Sequence, residues 1–356
     1  MQKDVVTVPS RALRQYAQDV FEKIGLSPQE AETEADVLVW ANLRGVDSHG
    51  VRAIPRYVKM AQDGHYRTDA QIHTIYETPA LLIIDGDHAF GPVITVKAMH
   101  QVIEKARHVG IAWAFLRNIT HQGAIGYYAL IAARNDMAGL AWVCSPPNTA
   151  PYGAVARGVH NSPVAIAVPG YEHPPLLLDM ATSVAAYGKL NVAMDQGKAI
   201  PDTWALDKNG QPTSDPHSAA MLAPSGGYKG SGLALMFETL SSLVVGVPLL
   251  APNLLGLENA APLGTQNGVL AAIDIGALTD IERYKKDVDQ LVHAIKDLPK
   301  ADGFDEIFVP GEPEDRCSEA RLRDGIPVPV SVARELVEVA QELAVTLPRA
   351  LREVEL

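Results

Sequence analysis

The segment RGVDSHGVRAI sets Asp47, Ser48 and His49 in a row, follows them with Gly50 and flanks them with Arg44 and Arg52. A histidine titrates near neutrality and suits proton transfer. A glycine beside it lets a ligand approach closely. Guanidinium groups on either side favour an anion, above all a carboxylate held through two parallel N–H bonds. A second histidine, His121, stands in NITHQGAIG, between a strand-like stretch and a helix-like one. Strand ends that open helices are where α/β proteins place ligand contacts; on these residues alone, however, Asn118 or Thr120 capping that helix, with His121 as polar surface, is the stronger reading. In LLLDMATS an apolar run ends on Asp179, which needs a hydrogen-bond donor or serves as a helix cap. In GGYKGSG, Lys229 and the backbone N–H groups of an opening helix could hold phosphate or another anion; a solvated lysine at a flexible helix start is an equal reading.

Other chemistries lack their signatures. No G-x-G-x-x-G lies between a strand and a helix, and there is no phosphate-binding G-x-x-x-x-G-K-[ST]. The 11 histidines show no H-x-x-x-H or H-E-x-x-H spacing, and Cys144 and Cys317 are far apart, so no metal site is expected. A serine hydrolase elbow, G-x-S-x-G, is also missing.

The elements that must position these residues alternate along the chain. Apolar spacing predicts a helix over 10–24 with Leu13, Tyr16, Ala17, Val20 and Phe21 on its buried face. Ser27-Pro28-Gln29-Glu30 reads as a capping box that opens a helix running to about Arg44 and stopping at Gly45. Ser48 is expected to cap the next helix, which carries Ile54, Tyr57, Val58 and Ala61 towards Gly64. Strands are expected at 80–84, 111–116, 139–144, 164–168, 176–179, 269–275 and 307–309. Helices are expected at 93–108, 124–135, 233–245, 281–298, 313–323 and 331–345. Residues 195–227 read as loop. This is a mixed α/β protein with helices gathered at both ends.

With 356 residues, two or three domains are expected, and 47% hydrophobic with 20% charged residues is ordinary globular composition. A net charge of −12 argues against nucleic acid or an anionic membrane as partner. Two cysteines make no disulfide framework and suggest a reducing cytoplasm. The run 232–250 is nearly long enough to span a bilayer, but it contains Glu238 and Pro248 and reads as a buried core helix whose glutamate needs a partner.

Taken together, RGVDSHGV with IPRYV, THQGAIGYYA, LLLDMATS, AYGKL, IPDTWALDKNGQPTSDP, GGYKGSGLALM and FVPGE resemble, in order from Arg44 to Glu312, the malate/L-lactate dehydrogenase family, which does not use the ordinary Rossmann fold. That group includes ureidoglycolate dehydrogenase, sulfolactate dehydrogenase, diketogulonate reductase and the reductase of Δ1-piperideine-2-carboxylate. The resemblance implies NAD or NADP held by a fold peculiar to the family, a homodimer or larger oligomer, and hydride exchange with C2 of a small 2-hydroxy or 2-oxo acid. A cyclic imino acid reductase, or a catalytically silent relative that binds a small acid, are the alternatives. It further implies a helical segment over 1–75 packing with 300–356, an α/β dimerisation core from 76–120 and 230–299, and a cofactor-binding region over 121–229.

By the family pattern His49, Ser48, His121 and Asp179 belong to the catalytic centre. Ser145, Asp179, Met180, Ala181, Lys229, Pro310, Gly311 and Glu312 match cofactor-contacting positions. His49 is assigned as acid/base, with His121 on the substrate oxygen or exchanging roles with it. Two departures stand out. Ala53 occupies a place where many members have arginine, so Arg52 and then Arg56 are taken as carboxylate holders. The usual G-T-N-P appears as His160-Asn161-Ser162-Pro163.

Overall fold

Local sequence rules start the fold as expected. Ser27 accepts a hydrogen bond from the Glu30 N–H, and Glu30 reaches back to the Ser27 N–H, so the capping box is complete. The computed structural model describes residues 5–195, 197–258, 260–262 and 264–354. The chain opens with β1 (Val5–Val8), α1 (Ser10–Lys23), α2 (Pro28–Leu43) and α3 (Ile54–Gln62). Next come β2 (His73–Glu77), β3 (Leu81–Asp85), α4 (Gly91–Val109), β4 (Ile111–Ile119), α5 (Gly126–Ala133), β5 (Met137–Cys144), β6 (Val164–Val168) and β7 (Leu176–Met180). After α6 (Tyr187–Asp195) lie three short strands, β8 (Ala205–Leu206), β9 (Pro212–Thr213) and β10 (Met221–Leu222). The remainder is α7 (Tyr228–Glu238), α8 (Leu250–Leu255), β11 (Gln266–Asp274), α9 (Ile281–Lys296), α10 (Glu312–Asp324), β12 (Ile326–Pro329) and α11 (Val330–Leu343).

A seven-stranded sheet in the order β2-β3-β4-β11-β5-β6-β7 forms the centre. Among the described residues of this sheet only β3 and β4 run parallel, and α4 supplies the crossover such a pair requires. Strand alternation assigns the two faces. Ala112, Ala114 and Leu116 of β4 are buried beneath Met99, Val102 and Ile103 of α4 and Tyr128 of α5. Trp113 and Phe115 point to the other face, with Trp142, Phe237 and Leu249. The two ends of the chain build a separate core. β1 pairs antiparallel with β12, and Tyr16, Phe21, Leu38, Ile54 and Tyr57 pack with Leu336 and Val337 of α11.

Several expectations need correction. Residues 307–309 are not a strand, and the region 195–227 is not all loop, since β8, β9 and β10 form a small sheet there. The run 232–250 is buried on one face only. Leu233, Met236, Leu240 and Leu243 are each about half exposed (46–52%). Glu238 does find partners, the backbone N–H groups of Leu249 and Leu250 at 2.7 and 3.0 Å. Among the described residues no helix is long and apolar enough to cross a membrane.

Candidate active site

His49 ends a one-turn 3-10 helix, Asp47–His49, between α2 and α3. Ser48 does not cap the following helix. A second 3-10 turn, Val51–Ala53, intervenes, Ala53 takes the N-cap position of α3, and the Ser48 hydroxyl instead meets His49 Nδ1 at 2.9 Å. The turn is tightly enclosed. A Cβ on Gly50 would lie 2.2 Å from the Asn42 side chain, and one on Gly188 of α6 would lie 2.2 Å from Ser48 Cβ. Glycine is required at both places by space.

His121 lies where β4 has ended and before α5 begins, so one imidazole comes from the turn between α2 and α3 and the other from the end of a central strand. Their rings stack at 5.5 Å with 20° between planes. His121 Nδ1 accepts the Gly123 N–H at 3.2 Å, which places the proton of the neutral ring on Nε2. The Tyr57 hydroxyl must then donate to that same Nδ1, at 2.5 Å. Arg56 lies over the Tyr57 ring at 5.5 Å and hydrogen-bonds Tyr66, which also bonds the His121 backbone. Burial, then the Arg56 charge, lowers the His49 pKa to about 4. Burial, then Arg56 and His49, holds His121 well below its usual value. Both rings are therefore neutral at pH 7. Arg56 is the arginine whose charge acts on both of them; Arg52 sits a turn earlier, on the 3-10 segment. A third imidazole, His160, is itself buried and lowered to about 3 by burial, with Nδ1 accepting from Ser162 N and the ring also bonded to the Val143 backbone. Thr120 does cap a helix, but it is α4: its hydroxyl accepts the Gly91 N–H at 3.0 Å.

Asp179, near the end of β7, accepts the Gly126 N–H of the first turn of α5 at 2.9 Å. It thus serves the helix that follows His121 rather than the one after itself. Its pKa is raised to about 6 by the crowding of protein around the carboxyl, against the opposing pull of Gly126 N–H and Arg44. One side of the residue stays open to solvent. Leu178 and Met180 are also open, 37% each, and Ala181 is half-buried. The chain then runs to Thr182, whose carbonyl accepts Ser225 N at 2.8 Å and lies where a Cβ on Gly230 would be, 2.3 Å away. That contact brings the Gly226–Gly230 cluster, with Lys229, beside the end of β7. Gly226 and Gly227 both have positive φ, 59° and 63°, which favours glycine. Ser145 follows β5 and is half-buried. Pro310 accepts the Leu177 N–H at 3.1 Å, and the Gly311 carbonyl accepts from buried Arg44 at 3.1 Å. Glu312 is held by Lys296 at 2.5 Å and Arg316 at 2.6 Å. Against the penalty of burial, these cations keep its pKa below the usual value.

Tyr57, Tyr66, Glu34 and Arg321 also belong to this region, and the sequence motifs do not mark them as such. Tyr57 was visible as a member of an apolar face, and a buried tyrosine hydroxyl needs a partner. Nothing local marked the other three.

The malate/L-lactate dehydrogenase family model matches residues 8–337. The chain belongs to the malate/L-lactate dehydrogenase family. It is a hydroxy-acid dehydrogenase, an oxidoreductase. It is 35% identical to a malate dehydrogenase of Pyrococcus abyssi, over 96% of each chain. It is 35% identical to an L-sulfolactate dehydrogenase of Methanocaldococcus jannaschii, over 92% of this chain and 95% of the relative. A ureidoglycolate dehydrogenase (NAD(+)) of Escherichia coli is 30% identical over 94% of this chain and 95% of the relative. Among solved structures, malate dehydrogenase from Entamoeba histolytica superposes with a TM-score of 0.90 at 27% identity, covering 97% of this chain and 99% of that one. The mixed sheet flanked by helices is the fold these relatives share, with no ordinary Rossmann glycine turn in the sequence.

Proposed function

We propose that this dehydrogenase exchanges hydride between NAD and C2 of a small 2-hydroxy or 2-oxo acid, with His49, His121 and Arg56 acting directly on the substrate. The observation that carries the reading is the stacked, neutral imidazole pair beside a guanidinium.

When bound, a nicotinamide would supply the hydride acceptor or donor for C2. The chain fits such a cofactor. Thr182 Oγ1 is buried with no partner among the described residues, and Leu178 and Met180 offer an open apolar strip for a flat ring. The twin-glycine turn with Lys229 suits the anionic linker. Residues 121–229, with Ser145, Asp179, Met180, Ala181 and Lys229, and the Pro310–Gly311 turn, would hold it. In Glu312 the carboxylate already has Lys296 and Arg316, so its part is to fix that turn.

In the oxidative direction His49 accepts the substrate hydroxyl proton, with Ser48 anchoring its Nδ1 side. His121 presents Nε2–H to the same oxygen, because Tyr57 and Gly123 occupy Nδ1. Arg56 holds the carboxylate, in place of the arginine absent at Ala53, and Arg52 lies one turn behind it. Asp179 orders the first turn of α5. NADP in place of NAD, and an imine in place of the carbonyl, use the same apparatus.

The half-exposed leucines and Met236 from 233–243, with Leu254 and Leu255, form an apolar surface that a second copy would cover, so a homodimer is part of the proposal. Both cysteines are free thiols, in keeping with a reducing, cytoplasmic setting.

Purified enzyme should oxidise NADH with one or more 2-oxo acids, read as loss of nicotinamide absorbance, and His49→Ala should lose turnover while still binding NAD. NADPH and methylamine plus pyruvate complete the scan. No nucleotide oxidation with any 2-oxo acid or imine, or an undiminished His49→Ala enzyme, contradicts the proposal.

A further inference from the structure

Beyond Glu312, helix α10 has no part in the chemistry proposed above, yet its side chains reach the turn that carries His49. Arg321 donates from both terminal nitrogens to Asp47, at 2.7 and 2.9 Å. That is the two-point grip a planar guanidinium makes on a carboxylate. Asn42 Nδ2 donates to the same carboxylate at 2.6 Å, and its Oδ1 accepts the Val51 N–H at 2.8 Å. Arg321 also donates to the Asn42 carbonyl. From the opposite side, Arg44 of the α2 terminus donates to Asp315 of α10 and to the Gly311 carbonyl. Two arginines pointing in opposite directions thus fasten α10 across the turn.

The turn needs such help. A three-residue 3-10 segment has poor hydrogen-bond geometry, and this one has no side-chain cap. Its backbone bonds include His49 N to Val46 O at 3.0 Å and Gly50 N to Asp47 O at 3.2 Å. The Arg321 side chain is 16% exposed and that of Asp47 39%, so the pairing is screened less than one between two fully exposed side chains. The start of the same helix meets the strand of Asp179: Pro310 accepts Leu177 N–H, and a Cβ on Gly311 would lie 3.2 Å from Leu177. One helix therefore touches the strand of Asp179 at its start and the turn of His49 nearer its end.

We propose that Arg321 is a positioning residue: its paired bonds to Asp47 set where the His49 imidazole stands relative to His121 and to the strand that carries Asp179. This rests on the assignment of His49 to proton transfer. A displacement of about 1 Å at a reacting group costs on the order of 100-fold in rate.

The test compares Arg321→Gln, Arg321→Lys, Asp47→Asn and the Arg321→Gln/Asp47→Asn pair in the full-length enzyme. Arg321→Gln should lower kcat roughly 10- to 100-fold with NAD affinity within about twofold of wild type. Arg321→Lys, which keeps the charge but not the fork, should fall between. The double variant should be no slower than the slower single, because both changes break one link. Amide hydrogen exchange should quicken over residues 47–51 and stay unchanged in the central sheet. An Arg321→Gln enzyme with wild-type kcat overturns the proposal, as do additive losses with cofactor affinity and exchange worsening throughout. If Arg321→Gln does not fold, the near-isosteric Asp47→Asn makes the same comparison. A wild-type enzyme that turns over no 2-hydroxy acid would instead remove the His49 assignment, and exchange over 47–51 still decides the Arg321 link.

Discussion

Glu34 on α2 has no exposed surface, and neither carboxyl oxygen meets a partner among the described residues. It lies close enough to Tyr57, Tyr66 and Tyr128 to raise the pKa of each, so it sits behind the His121 segment. Burial holds its pKa well above 4.5. The folded state therefore keeps a proton that the unfolded chain releases. The stability linked to that proton is fully present below about pH 4.5 and is lost as pH rises, by about 1.4 kcal/mol per pH unit, until the folded pKa is passed. From the unfolded pKa to pH 7 the ceiling is about 3.4 kcal/mol. Glu34→Gln keeps the shape and removes the titration. Its amide N–H groups bring their own desolvation cost of about 1–3 kcal/mol, but that cost does not vary with pH. Urea unfolding of both proteins from pH 5 to 8 should show the difference in stability moving in the variant's favour by up to about 1.4 kcal/mol per pH unit, then levelling. Parallel curves across that range would refute the reasoning, since they would mean that Glu34 is ionised and paired in the folded chain.

Tyr57→Phe removes a donor to His121 Nδ1; a buried neutral bond of about 1–1.5 kcal/mol corresponds to a fall of roughly 5- to 13-fold in kcat/KM, with NAD affinity unchanged, measured by steady-state kinetics and titration. With the His49 pKa at about 4, kcat/KM for hydroxy-acid oxidation should be level from about pH 6 to 8, while that for reduction falls about tenfold per pH unit; a bell centred on the usual histidine value would contradict this. Gly188→Ala places a Cβ 2.2 Å from Ser48 Cβ, so it should cost about 1–3 kcal/mol by denaturation, although helix propensity alone predicts a gain.

What the sequence made legible was local. The capping box at Ser27, the apolar strands and the helical periods could be read because each depends on near neighbours. The pairing of β1 with β12 could not, because Val8 and Ile326 meet across almost the whole chain and β12 carries two prolines. β2 is exposed at all five positions and gives no burial pattern. At the proposed site, the motif residues stand out in the sequence, but the partners the structure gives them do not. Ser48 looked like a helix cap, yet the turn is held through Asp47 by a side chain 274 residues away. The proposal of Arg56 over Arg52 draws on the second 3-10 turn, which carries Arg52 and was not foreseen, and on the Arg56 charge that acts on both imidazoles.

A crystal structure of the enzyme with NAD and a non-reacting 2-oxo acid analogue addresses the shared cleft most directly. The account predicts the analogue's oxygen in hydrogen-bond reach of His49 and His121, its carboxylate on Arg56, and the nicotinamide against the Asp179–Thr182 end of β7. A nicotinamide seated elsewhere, with the two imidazoles facing only solvent or protein, would contradict it.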